Sequence, residues 1–127
     1  MLDHIGIRVS DYERSKNFYL KALAPLGSRL RFEHPVSGVG FGRNVVPVFW
    51  IKVGPPSPGL HVAFAAENRA IVREFHHAAL AAGGGDNGPP GLRPEYHANY
   101  YGAFVLDPDG HNIEAVCHTA EGLQDEH

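Results

Sequence analysis

Apolar and polar positions follow two different periods along this chain, and the places where the period changes mark its elements. Residues 4–9, His-Ile-Gly-Ile-Arg-Val, put an apolar group at every second position, as a half-buried strand does. Ser10-Asp11-Tyr12-Glu13 has the Ser-x-x-Glu spacing of a capping box, which predicts a helix opened by Ser10. Phe18, Tyr19, Ala22, Leu23 and Leu26 then recur at helical spacing until Gly27, the expected stop. Short strands are predicted near residues 28–34, 38–43 and 46–53, before a Gly/Pro cluster from Gly54 to Gly59.

The second half repeats this order. Residues 60–65 read as a strand, Asn68 as an N-cap, and Ile71, Phe75, Ala79 and Ala82 as a buried stripe ending at Gly83-Gly84-Gly85. Strands are expected near 85–88, 100–106 and 112–118, with Asp107-Pro108-Asp109-Gly110 as the turn between the last two. Shifted by 57 positions, His4 falls on His61, Phe18 on Phe75, Leu23 on Leu80 and Gly27 on Gly84. The pattern predicts one α+β domain of two β-α-β-β-β modules: residues 1–53, a linker 54–59, residues 60–118, and a tail 119–127.

Composition narrows the chemistry. The chain has 127 residues, with 11 Lys+Arg against 14 Asp+Glu and a formal charge of −3. That is enough length for one core, and the weak negative balance offers no footprint for nucleic acid or an anionic membrane. No apolar run approaches the roughly 18 residues of a membrane span, and Met1-Leu2-Asp3-His4 lacks the order of a secretory signal, so a cytoplasmic address is expected. One cysteine, Cys117, excludes a disulfide scaffold and a Cys-x-x-Cys motif. Nine histidines stand out instead. Any metal here must be held by imidazole and carboxylate, which leaves a divalent ion open among iron, zinc, nickel and manganese.

Strand parity sorts the candidates. With Ile5, Ile7 and Val9 under the helix, His4, Gly6 and Arg8 face the other way. With Val62 and Phe64 on the helix side, His61 faces away. In the last strand Ile113, Ala115 and Cys117 are the apolar parity and Glu114 lies opposite. His4, His61 and Glu114 therefore share the non-helix face, and two readings stand. They form a two-His, one-carboxylate facial set for a divalent metal, or each is separately solvated on a half-exposed strand.

The chain resembles the vicinal oxygen chelate superfamily of glyoxalases, bleomycin-resistance proteins and extradiol dioxygenases. The resemblance is carried by Leu2-Asp3-His4-Ile5-Gly6-Ile7, Ser15-Lys16-Asn17-Phe18-Tyr19, Leu60-His61-Val62-Ala63-Phe64 and, most specifically, Phe104 to Glu114. It implies paired modules closing into a cup around a divalent metal, with His4, His61 and Glu114 as ligands. Glyoxalase I enzymes add a glutamate from the fourth strand, but Val46 to Lys52 contains no carboxylate, which argues against a typical glyoxalase I. The implied function is metal-dependent lyase, isomerase or ring-cleaving dioxygenase chemistry on a small oxygenated metabolite. The alternative is a metal-free binding protein of the bleomycin-resistance type. A homodimer is expected, and the modules pair within one chain or across it.

A metal-bound substrate needs a proton carrier, and Tyr96-His97-Ala98-Asn99-Tyr100-Tyr101 is dense in such groups. His97 is the acid/base candidate, with Tyr100 or Tyr101 as donor to a substrate oxygen; the opposing reading packs both tyrosines in the sheet and leaves His97 in a loop. Arg8 pairs with an anionic substrate group or forms a rim ion pair. Trp50 lines the cup or a subunit interface. His34, His76, His77, His111 and His127 read as incidental. His118 shares the parity of Glu114 but lies about 13 Å along the strand, too far for the same metal.

Overall fold

The computed structural model describes residues 1–120; the rest of the tail, with His127, lies outside the described residues. The first module runs β1 (Ile5–Val9), α1 (Tyr12–Ala22), a 3-10 turn (Ala24–Leu26), β2 (Arg29–His34), β3 (Gly38–Gly42) and β4 (Phe49–Val53). The second runs β5 (His61–Ala65), α2 (Arg69–Ala81), β6 (Gly85–Leu92), β7 (Tyr101–Leu106) and β8 (Asn112–Cys117). Each forms a four-stranded mixed sheet, ordered β1-β4-β3-β2 and β5-β8-β7-β6. In both, the first strand lies parallel to the last and the other pairings are antiparallel. The internal repeat is thus a repeat of topology.

The first helix is capped differently from the capping-box expectation. Asp11, not Ser10, accepts from the Arg14 N–H at 3.1 Å. Ser10 is drawn off by Asp109 of the β7–β8 turn, to which its N–H donates at 3.1 Å and its hydroxyl at 2.5 Å. The α-helix also ends before Gly27, because Pro25 has no N–H to continue it. The 3-10 turn that follows is closed by Gly27 at φ 80°. In the second module Asn68 caps α2 as expected, accepting from Ile71 N–H at 2.9 Å.

The apolar parity holds: Ile7, Val9, Ile113, Ala115 and Cys117 are buried with Phe18, Tyr19, Phe41, Phe49 and Phe75 in one core. The modules share that core. The Phe49 ring meets Phe64 edge-on at 5.3 Å, and the buried Tyr19 hydroxyl donates to Asp107 Oδ2 at 2.5 Å. Burial, then the charge of Asp107, pushes the Tyr19 phenol well above its usual pKa. Asp107 Oδ1 accepts the Asp109 and His111 N–H groups at 2.9 Å each, so one carboxylate both shapes the turn and ties it to α1.

Some positions differ from expectation. β6 is longer than residues 85–88 and contains Pro89 and Pro90, tolerated because it is an edge strand with register breaks against β7. His111 is buried at 1% exposure, not set in an open turn, and neither ring nitrogen has a hydrogen-bond partner. His76 is also no solvated surface group: it bonds Asp86 at 2.9 Å and, with the Gly88 N–H, holds that carboxyl below its ordinary pKa. Among the described residues no helix is long and apolar enough to cross a membrane.

Candidate functional site

The sheet register of the second module assembles a polar group on the face away from α2. His61 lies opposite Asn112, Ala63 opposite Glu114, and Phe104 opposite Glu114 from the other side. Glu114 is 1% exposed, which a carboxylate tolerates only when its oxygens are satisfied. They are: Oε1 lies 2.8 Å from His61 Nε2, and Oε2 receives the Tyr100 hydroxyl. A Cβ on Gly102 would stand 3.2 Å from both Glu114 Oε2 and the Tyr100 ring, so the glycine leaves room for that bond. Burial first, and the hydrogen bond to Glu114 second, raises the Tyr100 phenol well above its usual pKa. Tyr100 therefore carries its proton at neutral pH and donates it.

His97 stands one step further out. Its Nδ1 accepts the Asn99 N–H at 3.1 Å, which in the neutral ring puts the proton on Nε2, 2.8 Å from His118 Nδ1. The two imidazoles stack at 5.1 Å, and both lie against the Tyr100 ring, at 5.5 and 5.3 Å. His118 thus belongs with His97. Tyr101 joins neither group. Strand alternation turns it toward α2, where the guanidinium groups of Arg69 and Arg73 lie over its ring at 5.1 and 5.9 Å. Of the two tyrosine candidates, only Tyr100 reaches the carboxylate.

The first module presents a second concave surface. Gly6 and Trp50 are register partners, as are Arg8 and Lys52, and these four line a cavity of ≈ 430 Å³ with His4, Ile7 and Ser37. The indole of Trp50 lies on Gly40, where a Cβ would come within 2.9 Å of the ring. Arg8, Trp50 and His4 therefore do share one surface. His4 lies one residue ahead of β1, exposed, with Nδ1 2.8 Å from Asp3 Oδ1. With His61 it also borders a seam of ≈ 350 Å³ lined by Leu2, Val48, Phe49 and Phe64.

His61 and Glu114 are suited in type and proximity to a divalent transition metal. Among the described residues, however, no three His, Cys, Asp or Glu side chains are grouped to hold one. His61 and Glu114 are in contact, whereas His4 bonds Asp3 and meets neither of them. Lys52 and Arg93 are not among the residues the sequence singles out, and His118, set apart there from the metal set, is found paired with His97. The guanidinium of Arg93 lies 5.4 Å over Phe104, and Phe104 lies 6.3 Å from the His61 ring. Lys52 has the parity of Trp50 on one strand, a signal that was available.

Comparison with known proteins agrees with the fold. The family model described as Glyoxalase/Bleomycin resistance protein/Dioxygenase superfamily matches residues 1–115. A glyoxalase/bleomycin resistance protein from Albidiferax ferrireducens T118 superposes with a TM-score of 0.80 at 30% identity, covering 94% of this chain and 99% of that one. The fosfomycin resistance protein FosX from Mesorhizobium loti has a TM-score of 0.68 at 19% identity, over 94% and 92% of the two chains. A lactoylglutathione lyase from Agrobacterium tumefaciens has a TM-score of 0.64 at 16% identity, over 92% of each. The last two likenesses show the fold alone. No curated protein matches the sequence.

Proposed function

This chain belongs to the Glyoxalase/Bleomycin resistance protein/Dioxygenase superfamily, and from that premise we propose that it is a metal-dependent enzyme acting on a small oxygenated metabolite. The observation that carries the reading is the buried Glu114 carboxylate held between His61 and Tyr100. A buried carboxylate beside a half-exposed imidazole is a costly arrangement for structure alone and a natural one for two ligands of a divalent ion. His4 is the third donor. Its exposure, and its contact with Asp3 in place of the His61–Glu114 pair, favour delivery from a second copy in a homodimer. The exposed apolar side chains of Leu2, Val45, Val46 and Val48 suit such a contact, since Leu2 and Val48 line the seam beside His4 and His61.

When bound, a divalent ion would polarise a substrate oxygen as a Lewis acid. The chain's own groups do the rest. Tyr100 holds a proton at its hydroxyl and offers it toward Glu114 or, once that oxygen is engaged, toward the substrate. The hydrogen-bonded pair His97 and His118, both against the Tyr100 ring, is the proton-carrying group beside it. Trp50 supplies an apolar wall and Arg8 a positive charge on the first-module surface. The chemistry these residues support is proton transfer to or from a substrate held beside Tyr100, as in a lyase or isomerase; ring-cleaving oxygenation would draw on the same residues.

Elemental analysis of the purified protein and of His61→Ala tests this reading. Stoichiometric divalent metal lost in the variant is the expected result, and undiminished metal in the variant overturns the site. One observation favours a second reading, a metal-free binding protein: among the described residues of one chain the donors are not grouped in threes. Absence of metal from the wild type, with none taken up on titration, selects it.

A further inference from the structure

We infer that the substrate is a small organic oxyanion whose charged head is held between Arg8 and Lys52 of the first-module surface. This deepens the functional reading above and rests on it. Arg8 and Lys52 are direct register partners on the adjacent parallel strands β1 and β4, on the same face as Gly6 and Trp50. Like charges placed opposite each other on neighbouring strands repel, and such a pair is ordinarily relieved by a carboxylate. Neither has one here: among the described residues no acidic side chain bonds or pairs with Arg8 or Lys52. Glu33 borders the neighbouring cavity with Lys52, but it is engaged by Lys16 at 2.9 and 2.8 Å and by Tyr12 at 2.7 Å and forms no ion pair with Lys52.

The surroundings are shaped for a ligand as well as charged for one. Gly6 and Gly40 keep the strand floor low, and the Trp50 indole lies across Gly40 as a flat apolar wall, edged by Phe32 at 5.8 Å. The Arg8 stem lies along Gly54, where a Cβ would come within 3.0 Å of Cδ, so the glycine leaves the room this side chain occupies beside the cavity. His4 lines the same cavity. A compact anion with a flat apolar body would place its head on the two cations, its body on Trp50 and its remaining oxygens toward the His4 end. A carboxylate or phosphonate head satisfies a planar guanidinium and an ammonium together.

Trp50 is the chain's one tryptophan, so its fluorescence reports this cavity directly. The experiment uses the full chain dialysed against EDTA, titrated with benzoate and with benzamide, its neutral counterpart. Benzoate is expected to saturate, and benzamide to bind at least about tenfold more weakly. Arg8→Gln and Lys52→Gln should each weaken benzoate about tenfold and leave benzamide unchanged, with Arg8→Lys retaining part of the affinity. Benzoate binding should also weaken with added salt. Equal binding of the two probes, absence of saturable benzoate binding, or unchanged affinity in both glutamine variants overturns the proposal. Because metal is removed throughout, the outcome is independent of the metal assignment. Metal content of His61→Ala is scored separately, so either reading can fail without the other.

Discussion

His61 and Glu114 meet diagonally across two parallel strands: His61 has Asn112 as its register partner, yet its Nε2 lies 2.8 Å from Glu114 Oε1, two residues further along β8. Diagonal contacts on one face lie within reach of long side chains, and here the contact brings an imidazole over a carboxylate that is 1% exposed. Replacing Glu114 by Ala removes the acceptor of both His61 and Tyr100. The expected cost is about 1–3 kcal/mol of unfolding free energy, read from urea denaturation monitored by circular dichroism. Glu114→Gln, which keeps the shape and an acceptor oxygen, should recover most of that stability while still failing to retain metal.

The tie between modules is tested at Tyr19. Its buried hydroxyl donates to Asp107 Oδ2 at 2.5 Å, and Tyr19→Phe leaves that oxygen without its protein donor. A loss of about 1–3 kcal/mol is expected. Since Asp107 also holds the β7–β8 turn through Asp109 and His111, Asp107→Asn should be non-additive with Tyr19→Phe in a double-mutant cycle. Additive effects would show that the turn is held independently of α1.

Gly40→Ala probes the packing under Trp50. The new Cβ would stand 2.7 Å from Pro47 Cβ and 2.9 Å from the indole, so ring and proline must both move. The expected outcome is a loss of about 1–3 kcal/mol together with a red-shifted Trp50 emission as the ring turns toward water. An unchanged emission maximum would mean that the indole does not depend on Gly40 for its place.

The two modules were legible because their cause is local. Alternation in Ile5, Ile7 and Val9, a cap at Asn68 and a helical stripe through Phe75 and Ala79 are properties of neighbouring residues and are found where the pattern put them, although Val72 takes the fully buried place expected of Ile71 and Ala82 lies past the helix as its C-cap. What the sequence could not show depends on residues far apart. Ser10 has capping-box spacing but is captured by Asp109, 99 positions away, and Asp11 takes the cap. Parity placed His118 with Glu114, but the pairing of His118 with His97 needs the loop before β7 to fold back over β8. Burial of His111 follows from the docking of the β7–β8 turn on α1, which no periodicity encodes. Tyr100 and Tyr101 are adjacent and chemically identical; only the register of β7 on β8 decides which one meets the carboxylate.

Acid should act on the first module through Glu33. Hydrogen bonds from Lys16 and then Tyr12 hold its carboxyl below the ordinary value, while burial and then Glu33 push the Tyr12 phenol up to about 12. A carboxyl whose folded pKa is depressed contributes stability above its unfolded value, roughly 4.3, and that contribution is lost as pH falls through the lower folded value. Glu33→Gln should therefore lower Tm modestly at neutral pH, with the gap to wild type closing as pH falls below about 4.3. A gap that persists at pH 3 would place the effect in packing and not in charge.

Sharing of the metal site between copies gives the most discriminating prediction. If His4 of one copy serves the partner's His61 and the partner's Glu114, then His4→Ala and His61→Ala homodimers each lose every site. Mixing the two variants under conditions of subunit exchange changes this. In a heterodimer, the intact His4 comes from the His61→Ala chain and the intact His61 and Glu114 from the His4→Ala chain, so one of its two sites is whole. With random exchange, half the dimers are mixed and metal uptake should recover to about a quarter of wild type, a figure fixed by two-fold symmetry alone. Zero recovery, with exchange verified by native mass spectrometry, would place His4 and His61 at the same site within one chain, through closure of the seam they both border. Recovery should also fall on dilution, because the completed site exists only while the two copies are together.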